Sequence, residues 1–495
     1  MNSNDIRNSF LTFFESKGHK IIPSSSLIPH DNSLLFTAAG MVPLKDFFLG
    51  NKTPESPNMV SSQKCIRTID IDIIGDTDRH LSFFEMLGNF SVGKYFKEEA
   101  IKYSYEFITE VLKVDKDKLW FTVYKNDDEA YEIWRDVIGI PENRIQRGDE
   151  DNFWHMNIPG PCGPCSEIFI DRGKKYGKDG GPIGGGEDRF IEIWNLVFME
   201  SIQDEPFQIV NELPDKNIDT GMGLERISMI LQNKENLFDT DLFQPLYNEL
   251  IKNTDNSDEK YEKIIIDHIK SSTFMISDGV VPTNEGRGYV LRRLIRRAIR
   301  AYNQLNNTSS SLDYLIEIVI DIYKDSYPEL QSNKDKIIKL FKKEEKVFQQ
   351  TLNKGIQELN SMIDTNKTVT SKDAFYLFET FGFPFELTKE ISKENDVDID
   401  ENEFHKLYDE HKMKSKSNKN KDSDLITFDV NMNEFVGYDV TKSVTKIYHI
   451  EKINSKFIIF PEKNPFYYEA GGQISDKGII RIEDNIIDVL DVYQA

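Results

Sequence analysis

The residue patterning predicts an α/β (α+β) chain with a helical middle and a small β region at its end. Three textures carry that prediction. Up to about residue 245 short apolar runs alternate with amphipathic segments; from there to about 411 apolar residues recur at helical spacing over long stretches; beyond about 425 the period drops to two. With 495 residues, 39% hydrophobic and 29% charged, the chain can build several cores. The textures divide it into 1–245, 246–411, a polar linker at 412–425 and a last region at 426–495.

Residues 5–17 predict an amphipathic helix with Ile6, Phe10, Leu11 and Phe14 on one face. Pro, Ser and Gly punctuate 19–50, which reads as strands and loops with LLFTAAGM buried. The stretch 63–97, QKCIRTIDIDIIGDTDRHLSFFEMLGNFSVGKYFK, organises the rest. Its Ile–Asp alternation and Gly75 predict a strand running into a loop. Arg67 stands at one shoulder, Arg79 and His80 at the other, with Phe83, Phe84, Met86 and Leu87 behind. Guanidinium groups are permanently charged and grip oxyanions bidentately, so this hairpin suits a polyphosphate, with aromatics offering a slot for a flat base. A core hairpin with two surface arginines has the same pattern.

Further on, helices are expected at 97–115 and 127–137 around a strand at 119–124, then a loop-rich 151–171 and a glycine-rich loop at 177–188. That loop lacks the Gly-Lys-Ser/Thr spacing of a phosphate loop. RFIEIWNLVFME (189–200) reads as a buried strand, and 212–233 as a strand or turn entering a helix. Long helices follow at 258–278, 287–303 and 333–363, shorter ones at 373–380 and 386–394, and β-like runs at 442–450, 456–460 and 478–482.

A net charge of −23 disfavours a polyanionic partner for the chain as a whole. The distribution qualifies this. Residues 286–311 hold six arginines, at 287, 292, 293, 296, 297 and 300, and no acid. Arg293, Arg296, Arg297 and Arg300 share one broad helical face, which reads as a solvated face or as a phosphate-binding stripe; the missing acids favour the stripe. Cys65, Cys162 and Cys165 are too few for a disulfide framework and fit a reducing compartment. Without an apolar signal region or a run of about 18–20 apolar residues, a soluble cytoplasmic protein with no membrane partner is expected. CGPC (162–165) has no second ligand pair for zinc and reads as a loop wall.

In DTGMGLER (219–226), Gly221 and Gly223 allow a backbone close to a ligand, while Asp219 and Arg226 supply opposite charges. Alone, that also fits a glycine turn with a surface ion pair. Together with 63–97 it resembles the second and third signature motifs of class II aminoacyl-tRNA synthetases, in the form alanyl-tRNA synthetases carry. FYYEAGGQISDKG (466–478) resembles the start of that family's editing domain. The resemblance runs over essentially the whole chain and covers the first half or so of a typical member.

The resemblance implies an antiparallel sheet with flanking helices at 1–245, a helical acceptor-stem domain at 246–411, and the incomplete start of an editing β-barrel at 426–495. It implies a ligase that joins L-alanine to the 3′ end of tRNA-Ala through alanyl-adenylate. Arg67 would bind the ATP α-phosphate and Arg226 the γ-phosphate; Arg79 and His80 would face the phosphates, and Phe84 and Met86 would border adenine. Asp219 would pair with the alanine ammonium, in a pocket shaped by Trp194, Asn195 and Gly221. Mg²⁺ would sit mainly on phosphate oxygens. Asn284 would read the G·U pair of tRNA-Ala, opposite Glu379 where the family carries an aspartate, with the 287–300 arginines on the acceptor stem. A pocket for alanine distinguishes glycine or serine by only about 1–3 kcal/mol, so such an enzyme needs editing. Gln473 matches the editing start, whereas the family's zinc ligands would fall beyond residue 495, so editing of Ser- and Gly-tRNA-Ala is expected to be lost. Two other readings are a ligase loading a carrier other than tRNA, which the arginines weigh against, and a non-catalytic RNA-binding relic, which Arg67, Asp219 and Arg226 weigh against.

Overall fold

Asn2 caps the first helix, α1 (Ser3–Ser16), by accepting from the Asp5 amide, and Ile6, Phe10 and Phe14 form its buried stripe. The computed structural model describes all residues except 32, 157, 307–310, 420–433, 438–439, 454–455, 468–474, 483–484, 491 and 493–495. They form two units, Met1–Asn353 and Lys354–Ala495.

The first unit is built on β1 (Lys20–Ile21), β2 (Asn58–Ile66), β3 (Phe83–Val92), β4 (Leu119–Tyr124), β5 (Ile145–Gly148), β6 (Phe153–Trp154), β7 (Gly160–Asp171), β8 (Phe190–Glu205) and β9 (Gln208–Gly223). Their order is β1-β2-β3-β9-β8-β7-β4-β5, with β6 against β7. The sheet is mixed. Its centre is antiparallel, as the family resemblance implies, and parallel pairs stand at both ends, β1 with β2 and β4 with β5. Side chains alternate between its faces. One face carries an apolar cluster that includes Met41, Phe48, Met59, Phe90, Cys165, Val197 and Met199. On the other, Trp194 meets Phe10 and Phe14 of α1.

Four helices then matter for the site: α2 (Leu224–Leu231), α3 (Glu259–Ser277), α4 (Gly286–Leu305) and α5 (Lys334–Asn366). α3 is buried from Glu262 to Ser277. Its Lys270 donates to Glu225 of α2 at 2.8 Å, and Glu225 accepts from the Glu85 amide of β3 at 3.1 Å. Glu85 is gripped in turn by Arg7 of α1 through two bonds of 2.7 Å. Such a buried network is stable only when every charge is met, and here each has a partner.

The structure corrects several expectations. The strand beside Arg67 is β2, which precedes it; IDIDIIGD is a loop holding a single 3₁₀ turn at Ile71–Ile73. Ile71 and Ile74 are buried while Ile69 is 83% exposed, so the apolar spacing that counts is three, not two. Gly75, at φ +97°, turns the chain where a Cβ would lie 2.9 Å from the Lys260 carbonyl. Residues 34–41 form turns rather than a strand. The expected loop at 151–171 contains β7, whose prolines and glycines are absorbed by a register shift between Cys162 and Cys165.

In the second unit, Thr370 and Asp373 form a reciprocal cap on α6 (Ser371–Phe381). α7 (Phe385–Glu394) and α8 (Glu401–Lys419) follow, with Phe385 stacked on Phe404 at 3.9 Å. The tract expected as a linker at 412–425 is helical to Lys419; 420–425 lie outside the described residues. β10 (Glu434–Phe435) pairs with β13 (Lys463–Asn464), β11 (Ile447–Ile453) with β12 (Lys456–Pro461), and β14 (Gly478–Ile482) with β15 (Asn485–Val489). Gln473 lies outside the described residues. Among those described, no helix is long and apolar enough to cross a membrane.

Candidate active site

Strand β2 ends at Ile66 and leaves Arg67 exposed at the rim of the sheet. Its amide donates to the Ser82 carbonyl at 3.0 Å, and its guanidinium lies 4.9 Å from the centroid of the Phe84 ring. Its Nε–H donates to the Ala38 carbonyl at 3.4 Å, and cation–π contact holds the cation while leaving the other N–H groups for an anion. Two residues on, Met86 shares the face of Phe84 and pairs with Gly223. A Cβ at Gly221 would sit 2.7 Å from the Met86 sulfur, so any larger residue there has to displace the Met86 side chain. Both border the space over this face of the sheet.

Beside that space is a carboxylate without a counter-ion. Asp219 is 5% exposed, and its Oδ1 has no hydrogen-bond partner. Burial pushes its carboxyl well above the usual range. Across the ladder Asp219 faces Val197, and Gly221 faces Asn195. Asn195 Nδ2 donates to Glu167 Oε1 at 3.2 Å, and its Oδ1 is a second buried acceptor without a partner. Glu167 also accepts from Thr122 at 3.0 Å and Asn152 at 3.1 Å. Burial, reinforced by Glu192, pushes its carboxyl up to about 8. A raised carboxyl makes the folded state bind the extra proton, so its contribution to stability falls as pH rises from about 4.5 through 8. Thermal unfolding between pH 5 and 8.5 is expected to show that downward slope, and Glu167→Gln is expected to flatten it whatever its offset.

The remaining charged residues border the same place. Arg226, in the first turn of α2, donates to the Glu192 carbonyl at 3.2 Å and its carboxylate at 3.1 Å. Arg79 pairs with Glu187 and Asp188 at the end of the glycine-rich loop. His80 hydrogen-bonds Thr77 at 2.9 Å; burial holds its imidazole below the usual range, with Asp70 opposing and both Arg79 and Arg226 adding to the shift. The buried Cys65 thiol, raised by burial, senses Arg67 on one side and Glu225 and Asp219 on the other. Arg67, Arg79, His80, Phe84, Met86, Asn195, Asp219, Gly221 and Arg226 thus gather around one side of the sheet.

Trp194 does not join them. Neighbours in a strand point to opposite faces, so Trp194 and Asn195 cannot both line the space. Trp194 is fully buried, 5.6 Å from Phe10, 6.3 Å from Phe14 and 5.9 Å from Phe107 between ring centroids. Trp194→Ala is accordingly expected to cost about 3–5 kcal/mol in denaturant unfolding, with KM for the amino acid unmoved. The tryptophan that packs against the cluster beside Asp219 is Trp154 of β6, which the sequence did not single out because its surroundings read as loop.

The arginine stripe is also largely structural. Arg296, Arg297 and Arg300 are 6%, 4% and 3% exposed. Arg296 meets Glu344 of α5 at 2.7 Å, and Arg297 donates to the Ile71 carbonyl at 2.7 Å. Arg293 pairs with Asp72, Arg292 reaches Glu344 at 3.2 Å and the Asn284 side-chain oxygen, and Arg287 donates to the Leu34 and Leu35 carbonyls. The acids missing from 286–311 come from other elements. Asn284 is exposed, as is Glu379 on α6 of the second unit. Cys162 and Cys165 are buried in β7, the former pushed up to about 11 by burial, so neither thiol is activated. Among the described residues no group of three or more His, Cys, Asp and Glu could hold a metal ion.

The family model for tRNA synthetases of class II (A) matches residues 5–495. Similar curated proteins include alanine–tRNA ligases of Caldicellulosiruptor saccharolyticus, 44% identical, Thermobifida fusca, 43%, and Fusobacterium nucleatum, 44%, each aligned over 100% of this chain. The chain spans 60% of the length of each of these relatives. The mostly antiparallel sheet and the match along 5–495 lead to one conclusion: this chain belongs to the class II tRNA synthetase family.

Proposed function

We propose that the chain activates L-alanine with ATP to alanyl-adenylate and transfers the alanine to the 3′ end of tRNA-Ala. The observation that carries this is the buried, unpartnered Oδ1 of Asp219, next to a glycine whose Cβ space is filled by Met86. A buried carboxylate calls for a cation, and Met86 packed over Gly221 narrows the same face of the sheet. Asp219 with Asn195 Oδ1 would take the ammonium and present the amino acid's carboxylate toward the arginines.

Arg67 would neutralise the charge that builds on the α-phosphate as that carboxylate attacks, while Arg226 and Arg79 would hold the outer phosphates. For Arg226 this means leaving Glu192, and for Arg79 leaving Glu187 and Asp188. His80 would act beside them as a neutral donor or acceptor, and Phe84 and Met86 would border the base. Mg²⁺ enters with ATP, screening phosphate charge as part of the substrate. Catalysis here is positioning and charge neutralisation, without a general base.

On this reading 1–245 carries the chemistry and 246–411 meets the acceptor stem. Asn284 and the partly exposed Arg287, Arg292 and Arg293 remain for RNA. The relatives named alanine–tRNA ligase support the choice of amino acid and tRNA. The test is ATP–pyrophosphate exchange with alanine, serine and glycine in parallel, followed by charging of tRNA-Ala. Alanine-dependent exchange with charging is expected; exchange without charging would redirect the proposal to another acceptor, and no exchange would overturn it.

A further inference from the structure

The loop between Arg67 and Arg79 is clasped from behind by two helices that contribute nothing to the proposed nucleotide contacts. Arg297 of α4 donates to the carbonyls of Ile71, at 2.7 Å, and Ile74, at 3.3 Å. It also meets His268 Nε2 of α3 at 3.1 Å. A guanidinium only donates, so His268 Nε2 accepts and its Nδ1–H donates to Asp267 Oδ2, 2.9 Å away. Asp267 holds the far root of the loop: it accepts from the Ser82 amide at 2.9 Å and from the Ser82 hydroxyl. The Ser82 carbonyl accepts from the Arg67 amide. Asp267, His268 and Arg297 are each 4% exposed or less.

Three of the loop's four acids are held in the same way. Asp72 pairs with Arg293, Asp76 with Lys260 at 2.9 Å, and Asp78 with Lys263 at 2.5 Å. Residues 71, 72, 74, 76 and 78 are thus tied to α3 or α4, which leaves the guanidinium groups of Arg67 and Arg79 on the open side. Two donors from one planar group fix a loop's path better than one, because both carbonyl directions are set at once.

We propose that Asp267, His268 and Arg297 form a positioning relay that sets the pose of the phosphate-gripping loop and thereby the affinity for ATP. This rests on the function proposed above. None of the three touches substrate; they act through Arg67 and Arg79. The relay predicts a change in one substrate only, because Asp219 and Asn195 stand on other strands.

The experiment is ATP–pyrophosphate exchange by the full chain, titrating ATP and alanine separately. Arg297→Met is expected to raise KM for ATP about tenfold and leave KM for alanine unmoved. Arg297→Lys, which reaches one carbonyl, is expected to recover part of the loss, and His268→Phe to resemble Arg297→Met. Equal movement of both KM values, or a fall in melting temperature with KM for ATP unchanged, would overturn the relay. Should Arg297→Met not fold, Asp72→Asn cuts the outer clasp at the surface; a smaller rise in KM for ATP is expected, and no rise counts against the proposal. If the unmodified chain shows no alanine-dependent exchange, the functional reading fails instead. Calorimetric titration of the same variants with Mg·ATP then decides the relay by itself, weaker binding in Arg297→Met supporting it and equal binding refuting it.

Discussion

Asp219→Asn is expected to lower kcat/KM for alanine in pyrophosphate exchange by about 10²–10³, or roughly 2.7–4 kcal/mol, with KM for ATP nearly unchanged. The amide keeps the shape and removes the charge that an ammonium requires. The same substitution is expected to stabilise the fold. Burial alone raises the Asp219 carboxyl, so the folded state binds its proton more tightly than the unfolded chain. Stability then falls as pH rises above the ordinary aspartate range, and the asparagine variant escapes that fall. Its melting temperature should exceed that of the parent by more at pH 8 than at pH 5. Lower activity with higher stability is the signature of a group retained for ligand binding. Unchanged alanine kinetics would remove the central support of the proposed function.

A large stability effect is expected at Arg7. Arg7→Met leaves Glu85, which is fully buried, without its bidentate partner, and breaking a pair of this kind costs about 3–5 kcal/mol. Burial opposes the charge on Glu85, yet Arg7 first, then Lys270 and Ser62, hold its carboxyl below the usual range. A depressed carboxyl contributes stability above the ordinary glutamate range and loses it as pH falls through the folded value. Urea unfolding of Arg7→Met should therefore show a reduced midpoint at pH 7 and a smaller difference in acid. Replacing both partners, Arg7→Met with Glu85→Leu, is expected to recover much of the loss, since apolar pairs of similar volume replace buried ion pairs without large cost. A loss under about 1 kcal/mol in the single variant would show that water reaches Glu85.

Much of the fold was legible because long amphipathic helices leave a strong periodic trace. The expected helix at 258–278 is α3 at Glu259–Ser277, and the one at 287–303 is α4 at Gly286–Leu305. β7 was hidden because Pro161, Gly163 and Pro164 imitate a loop, and the bulge that accommodates them depends on β8 alongside. At 69–76 alternation misled, because the acids of the loop answer to cations on α3 and α4 rather than to solvent on one face of a strand.

What the sequence by itself determined is the set of chemical groups at the site. Arg67, Asp219, Gly221 and Arg226 stand in motifs short enough for local spacing to fix their relations, and the register of β3, β8 and β9 then brings them together. Only the tertiary structure decided which neighbours share a face and which charges are already spoken for. Trp194 turns away from Asn195 because strand geometry is binary, and the partners of the α4 arginines, Glu344, Asp72 and the Ile71 carbonyl, lie far off in sequence. Burial and counter-ions are properties of the assembled surface, and a one-dimensional pattern does not hold them.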